Sequence, residues 1–189
     1  MKPHTGTQTL ETPRLVLRRF TAADAEAMFA NWANDPAVTE HLTWFPHGKV
    51  ENTRALLESW VAEYEKPTCY NWAIELRTLG EPIGNISVVR LMESEAKGVR
   101  CGEIGYCMGR AWWGQGLMPE AYRAVIAYLF DTADFMRLRS EHAVANPKSG
   151  RVMQKVGMTR CGVERCGGAD NTGIVDVVVY DMLPGDPRR

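Results

Sequence analysis

The feature that most constrains the fold is a strand-like run that leads through two glycines into a helix-like run. Cys101–Met108 is apolar and strand-like, Gly114 and Gly116 follow, and Leu117–Phe130 has the composition of a helix. A helix that begins directly after a glycine loop presents unpaired backbone N–H groups and the positive end of its dipole. The stretch therefore predicts either an anion-binding loop or an ordinary strand-to-helix turn.

Two well-known phosphate-binding loops do not fit this stretch. A P-loop places Lys and then Ser or Thr after the last glycine, where this chain has Leu117 and Met118. A dinucleotide-binding loop needs a third small residue where this chain has Pro119. It also needs an acidic residue at a strand end about 20 residues later, which this chain lacks. What remains is a row of backbone N–H groups over residues 114–118 at the start of a helix, which suits a pyrophosphate.

The rest of the chain predicts a mixed α/β protein with the order β-α-α-β-β-β-α-β-α-β-β. Besides the helix that starts at Leu117, helices are expected from Thr21 to Trp32, from Val50 to Glu65, and between the cap Asn146 and the terminator Gly157. The remaining expected strands are Leu15–Phe20, Asn71–Leu76, Pro82–Leu91, Arg139–Ala145, Met158–Arg165 and Ile174–Leu183. Glu93–Arg100 is expected to be a solvated hairpin connection. We expect a single domain over residues 1–189, with loose tails at 1–9 and 184–189.

Composition excludes several classes of function. The formal net charge is −1, so no basic field indicates nucleic acid or an acidic membrane as a partner. No apolar run approaches the roughly 20 residues that span a bilayer, and the N-terminus lacks a secretory signal, so we expect a cytoplasmic protein. Five cysteines without a C-x-x-C pair and four scattered histidines predict reduced thiols and no metal site.

Four motifs in register resemble the GNAT acetyltransferase superfamily, in particular its RimJ/RimL-type branch of ribosomal-protein N-terminal acetyltransferases. They are EIGYCM at 103–108, WGQGLMPEA at 113–121, NPKS at 146–149 and KVGM at 155–158. The segments at 11–18 and 176–180 also resemble that branch, so the resemblance covers nearly the whole chain. It implies the GNAT fold with a splayed central strand pair, and acetyl-CoA as cosubstrate without a metal.

The resemblance also implies the residues that bind acetyl-CoA. The superfamily's loop, Q/R-x-x-G-x-G/A, falls on Trp113, Gly114, Gln115, Gly116, Leu117 and Met118. Trp113 and Met118 depart from that pattern, but backbone amides hold the pyrophosphate in the family, so these departures leave the function in place. Pantetheine is expected against the backbone of Cys107 and Met108 and against the side chain of Asn146. Asn146 is also expected to cap its helix.

Amide formation from a thioester needs a neutral amine, a stabilised oxyanion and a proton for the leaving thiolate. Glu103 is our candidate general base, because an acid among apolar strand residues is suited to accepting a proton from an amine near neutral pH. The alternative is that Glu103 is a solvated carboxylate at the end of a strand. Ser149 is our candidate general acid by resemblance. The alternative is that Ser149 is an ordinary residue of the first helical turn. His142 is interpreted as a packed strand residue. Cys107 is a poor nucleophile without a nearby His motif, which favours direct transfer.

Trp44 and Phe45, between two predicted helices, are expected either to wall a substrate channel or to pack into the core. The leading hypothesis is an acetyl-CoA-dependent N-acetyltransferase acting on a primary amine, including the α-amine of a protein or peptide. One alternative is a small-molecule acetyltransferase for a polyamine, an amino acid or an aminoglycoside-like acceptor. In that alternative, Glu40, Glu51 and Glu58 are candidate acids. Another is a non-catalytic acyl-CoA sensor on the same fold. Monomer and homodimer are both compatible with the sequence.

Overall fold

Eight strands form one mixed sheet in the computed structural model, which describes residues 1–188. The sheet order is β1-β2-β3-β4-β5-β6-β8-β7, and in the described chain only β5 and β6 pair in parallel. The strands are β1 Leu10–Glu11, β2 Leu15–Arg18, β3 Asn71–Leu76, β4 Glu81–Ser94, β5 Val99–Met108, β6 Arg137–Ala143, β7 Thr159–Asp170 and β8 Gly173–Met182. The predicted mixed α/β class is confirmed, and the short β1 adds a strand that the sequence did not indicate.

Five α-helical segments accompany the sheet. They are α1 Ala25–Met28, α2 Pro36–Thr39, α3 Val50–Glu63, α4 Leu117–Asp131 and α5 Pro147–Lys155. The first predicted helix starts at Thr21, whose backbone N–H donates to Asp24 Oδ2 at 2.8 Å in a capping box. It does not continue as an α-helix to Trp32, because Phe29–Ala33 forms a π-helical turn.

The helices cover both faces of the sheet, and each face has its own hydrophobic core. Trp72 and Ile74 of β3 belong to a cluster with α4 and α5, whereas Ala73 belongs to a cluster with α1 and α3. This division follows the alternation of side chains along a strand. Val61 of α3 belongs to neither cluster and is 40% exposed.

The Glu93–Arg100 connection is shorter and less solvated than expected. Strands β4 and β5 extend into it, and the turn occupies little more than Glu95–Lys97. Arg100 is only 2% exposed, and its guanidinium donates to the carbonyl of Ala133 at 2.6 Å and to Glu93 Oε1 at 2.9 Å. Burial of this arginine is possible because its charge is paired and its N–H groups are bonded.

The N-terminal segment also differs from the loose tail expected for residues 1–9. The carbonyl of Lys2 accepts a hydrogen bond from Arg100, and the carbonyl of Gln8 accepts one from Trp72 Nε1 at 2.7 Å. His4 lies between Tyr70 and Glu93 at 2.9 Å from each. At the other end Arg188 pairs with Asp131, while Arg189, the last residue of the expected tail at 184–189, lies outside the described residues.

Candidate active site

The central strands separate after three paired residues. β5 and β6 pair from Cys101 opposite Arg137 to Glu103 opposite Arg139, and Ser140 Oγ then donates to the carbonyl of Ile104 at 2.7 Å. Beyond that point β6 continues to pair with β8, as far as Ala143 opposite Val177. The gap between β5 and β6 opens into a cavity of about 1050 Å³, and it matches the splayed pair that we predicted.

The cavity brings together some of the predicted site residues and leaves others outside. Its wall includes Trp44, Glu103, Cys107, Asn146 and Ser149. The predicted residues outside its lining are Phe45, Met108 and the glycine loop at 113–118.

Phe45 does not wall a shared channel with Trp44. Its side chain is 72% exposed and borders a separate surface hollow of about 400 Å³ beside Pro36 and Asn171. This placement corrects the expectation that the two adjacent aromatic residues act together.

Glu103 has charged rather than apolar neighbours, which corrects our expectation for the candidate base. Its Oε2 lies 3.5 Å from Arg90 Nη1 and 3.7 Å from Arg139 Nε. These are ion-pair distances rather than short hydrogen bonds. The carboxylate is mostly buried and lines the cavity, so it is accessible to a ligand while paired with two guanidinium groups.

Tyr106 is a site residue that the sequence did not reveal. Its hydroxyl lies 2.8 Å from Ser149 Oγ and donates to the carbonyl of Ser149 at 2.9 Å. Burial raises the pKa of this phenol well above its ordinary value, so it stays neutral. The contact connects β5 to α5 across the gap and orients the Ser149 hydroxyl. It joins residues 43 positions apart, and no local pattern indicates it.

The start of α5 is built as the sequence predicts. Asn146 is the N-cap, its side chain accepts from the backbone N–H of Ser149, and Pro147 occupies the first turn. Beside it, His142 Nδ1 lies 2.8 Å from the carbonyl of Ala143, and its ring packs near Tyr180. A Cβ at Gly150 would clash with the His142 ring, so glycine lets α5 approach β6 without displacing that ring.

The chemistry of Cys107 and Met108 is constrained by their partners. Burial raises the pKa of the Cys107 thiol to about 12, and its Sγ donates to Asn85 Oδ1 at 3.0 Å. A neutral thiol is a poor nucleophile, which favours direct transfer over an acyl-enzyme. The carbonyl oxygen of Met108 accepts a hydrogen bond from Trp113 Nε1 at 2.7 Å, so it already has a partner within the protein.

The glycine loop has the backbone conformation of an anion cradle. Gly114 and Gly116 have φ of 76° and 75°, which favours glycine, and α4 then begins without a side-chain cap at Gly116. The side chains of Leu117 and Met118 are buried in the core, so these residues offer only backbone to a ligand. The uncapped N–H groups fit the pyrophosphate of acetyl-CoA.

A clamp from the turn between β1 and β2 holds this loop, and the sequence did not reveal it. Arg14 Nη1 donates to the carbonyl of Gln115 at 3.0 Å, and Arg14 Nε donates to Glu120 Oε2 at 2.7 Å. Thr12 Oγ1 donates to Glu120 Oε1 at 2.7 Å. Burial opposes ionisation of Glu120, but these hydrogen bonds outweigh it and lower its pKa. The clamp pairs the carboxylate of Glu120, which lies in the first turn of α4, with the positive charge of Arg14 at 2.6 Å.

Part of the cavity lining is apolar, although His41, Thr43 and His47 of the same region also contribute to it. Six residues from α1, α3, the π turn and the following loop form the apolar part: Met28, Trp32, Leu42, Trp44, Leu56 and Trp60. We refer to them as the apolar wall. The turn between β7 and β8 holds the loop that carries Trp44, because Asn171 Nδ2 donates to the carbonyls of Thr39 at 2.9 Å and Trp44 at 2.8 Å.

Each carboxylate that lines the cavity has a basic side chain at ion-pair distance. Glu40, Glu51 and Glu58, the candidate acids for a polycationic acceptor, are exposed and do not line the cavity. The acids that do line it are Glu63, Glu103, Glu141 and Asp170, with Lys66, Arg90, Arg139 and His41 as partners. Of these basic partners, Arg90 and His41 themselves line the cavity, whereas Lys66 and Arg139 contact the acids from outside its lining.

Within residues 1–188, no helix combines the length and hydrophobicity needed to cross a membrane. The same residues contain no group of three or more His, Cys, Asp or Glu side chains that could hold a metal ion.

Comparison with known proteins identifies relatives along nearly the whole chain. Residues 14–159 match the family model of the acetyltransferase (GNAT) domain. The chain is 31% identical over 174 residues to the "Uncharacterized N-acetyltransferase YoaA" of Bacillus subtilis, covering 92% of this chain and 96% of that protein.

Two solved structures show the same fold at lower identity. Ribosomal-protein-S5-alanine acetyltransferase from Vibrio fischeri has a TM-score of 0.81 at 17% identity, covering 96% of this chain and all of that one. RimL, a ribosomal L7/L12 α-N-protein acetyltransferase in complex with coenzyme A, has a TM-score of 0.79 at 19% identity. That match covers 93% of this chain and 98% of the RimL chain.

Proposed function

This chain belongs to the GNAT acetyltransferase family, and we propose that it transfers the acetyl group of acetyl-CoA to the N-terminal α-amine of a peptide or protein. N-acetyl transfer from acetyl-CoA follows from the family; the acceptor is the proposal. The observation that carries it is one continuous cavity that joins the β5–β6 gap, Glu103 and the apolar wall. Two structural neighbours, one named as a ribosomal-protein-S5-alanine acetyltransferase and one as a ribosomal L7/L12 α-N-protein acetyltransferase, support this class of acceptor.

The donor side would be held by backbone from several elements. Acetyl-CoA supplies an activated acetyl thioester when it is bound. The N–H groups at 114–118 suit its pyrophosphate, while Cys107, Asn146 and Ser149 line the gap in which its pantetheine would extend. Lys148 Nζ lies 5.1 Å from the ring centre of Trp113 and adds a positive charge beside the loop.

The acceptor side would use Glu103 and Ser149. Glu103 accepts a proton from the acceptor amine, which must be neutral to attack a carbonyl carbon. The Ser149 hydroxyl can offer a proton or a hydrogen bond to the leaving sulfur when Tyr106 donates its own proton to Ser149 Oγ. A thiolate with a pKa of about 8.5 leaves readily, so this contribution is smaller than that of the base.

A panel assay of released CoA thiol tests the proposal. We expect peptides with a free N-terminus to turn over, whereas the same peptides with a formylated N-terminus and an internal lysine do not. Spermidine and free amino acids serve as competing acceptors. A higher kcat/KM for either of them than for every free peptide would overturn the proposed acceptor class, as would acetyl-CoA binding without turnover of any peptide.

A further inference from the structure

A row of three residues crosses the sheet beside Glu103 and lines the cavity. Strand pairing sets Asn71 of β3 opposite Ser87 of β4, and Ser87 opposite Gly105 of β5. Gly105 lies between Glu103 and Cys107 on one face of β5, because alternate residues of a strand share a face. The row therefore starts between the proposed base and the proposed donor site, and it leads away from them across two strands.

Two side chains of this row offer polar atoms to a ligand. Among residues 1–188, Asn71 Nδ2 and Ser87 Oγ have no hydrogen-bond partner. Both side chains are half-buried in the cavity lining, and neither of these two atoms is fully buried. Residues directly opposite each other in antiparallel strands have Cβ atoms about 5 Å apart. The amide and the hydroxyl are therefore close enough to bind the same ligand atom.

A chain of hydrogen bonds determines which end of the Asn71 amide faces the ligand. The neutral thiol of Cys107 donates to Asn85 Oδ1 at 3.0 Å. Asn85 Nδ2 in turn donates to Asn71 Oδ1 at 3.3 Å. Because its oxygen accepts this bond, Asn71 presents the N–H groups of Nδ2 to the cavity. The hydroxyl of Ser87 adds a second donor, so the pair suits a ligand oxygen that accepts two hydrogen bonds.

We propose that Asn71 Nδ2 and Ser87 Oγ donate to the first carbonyl oxygen of the acceptor peptide while its α-amine faces Glu103. A carbonyl oxygen has two lone pairs, and the first carbonyl is the peptide oxygen nearest to the α-amine. The ε-amine of lysine and the ends of a polyamine have no oxygen near the nitrogen, so this pair selects α-amines. The assignment rests on the proposed function, because it specifies how the same site recognises its acceptor.

The first test changes the carbonyl oxygen and leaves the protein intact. A peptide is compared by kcat/KM with analogues that carry a thioamide at the first or at the third peptide bond, because sulfur is a weak acceptor. We expect the first-bond thioamide to lower kcat/KM about 3- to 10-fold, the value of a hydrogen bond, and the third-bond thioamide to leave it unchanged. An equal effect at the two bonds, or none at either, would overturn the inference and leave the proposed function intact. Turnover of none of the three peptides would overturn the proposed function instead.

The second test assigns the effect to the two donors. The ratio of kcat/KM for the normal peptide to that for the first-bond thioamide is measured in Asn71→Ala, Ser87→Ala and the double variant. Thr68→Ala is the control, because Thr68 lines the cavity outside the row. We expect the ratio to decrease in each single variant, to approach one in the double variant and to keep its wild-type value in Thr68→Ala. A wild-type ratio in the double variant would exclude this pair of donors, and the first test decides the inference where a variant does not fold.

The third test uses Asn85 as a positioning residue. A carboxylate only accepts hydrogen bonds, so in Asn85→Asp the Asn71 amide turns to donate to it and presents Oδ1 to the cavity. In Asn85→Ala, by contrast, Asn71 Nδ2 is still able to donate to the ligand. We expect the same ratio to fall in Asn85→Asp to the value of Asn71→Ala and to stay above that value in Asn85→Ala. Equal ratios in the two Asn85 variants would contradict donation from Asn71 Nδ2.

Discussion

At the residue scale, the site depends on side chains whose partners are far away in the sequence. Glu103 was predicted from its strand position alone, but its ion pairs come from Arg90 on β4 and Arg139 on β6. Alternation along β5 indicates which face the carboxylate occupies, whereas only strand pairing determines which charges it meets. The same reason explains why Tyr106 went unrecognised as the partner of Ser149.

Substitution Glu103→Gln tests the base directly. We expect kcat to fall by about 10²- to 10⁴-fold, the usual contribution of a general base, with the Kd of acetyl-CoA nearly unchanged. Glu141→Gln is the matched control, because Glu141 also lines the cavity and pairs with Arg139 at 2.7 Å. Steady-state kinetics and calorimetry measure both quantities. Unchanged turnover in Glu103→Gln would remove this residue from the mechanism.

Ser149 and Tyr106 should affect donor binding more than chemistry. In Ser149→Ala we expect KM for acetyl-CoA to rise about 3- to 10-fold, the value of a hydrogen bond, and kcat to change less than that. Tyr106→Phe should show the same pattern more weakly, because it removes only the group that orients the serine. A loss of kcat in Ser149→Ala without a change in KM would identify Ser149 as a required proton donor instead.

At the scale of secondary-structure elements, β5 leads through the glycine loop into α4, which together form the proposed donor site, and the turn between β1 and β2 contacts the loop and α4. Arg14, next to β2, reaches Gln115 and Glu120, which lie 101 and 106 positions later. A negative charge in the first turn stabilises a helix by interacting with its dipole, but it repels an anion bound at the same end. Pairing with Arg14 resolves this conflict, because it keeps the helix-stabilising acid and neutralises its charge.

Removal of this clamp should weaken the donor site selectively. In Arg14→Ala we expect KM for acetyl-CoA to rise about 10-fold, the range for a lost charged hydrogen bond, with kcat nearly unchanged. Arg77→Ala is the control, since Arg77 pairs with Glu11 at 2.7 Å nearby without contacting the loop. Glu120→Gln in the Arg14→Ala background should recover part of the affinity. Equal KM values in the Arg14→Ala and Arg77→Ala variants would contradict a role for the clamp.

At the scale of the whole molecule, the two ends of the chain assemble one cavity. The first helical segments provide Met28 and Trp32, while the final hairpin supplies Asn171, which fixes the loop that carries Trp44. The sheet joins these parts, because β8 inserts between β6 and β7 and the end of β7 lines the same cavity. This cavity therefore requires nearly complete folding, whereas the glycine loop is encoded within a few residues.

The sequence by itself determined the features whose causes are local. Asn71–Leu76 forms a strand with the predicted bounds, α4 begins at Leu117, and Asn146 caps α5, because turn residues, caps and periodicity act over a few positions. Motifs in register also indicated the family and its donor. Only the tertiary structure decided the environment of Glu103, the Tyr106–Ser149 contact, the Arg14 clamp and the hydrogen bonds that connect Cys107 to Asn71 through Asn85. Each of these depends on the packing of separate elements, and no periodicity or cap encodes the pairing of residues that meet only in the folded chain.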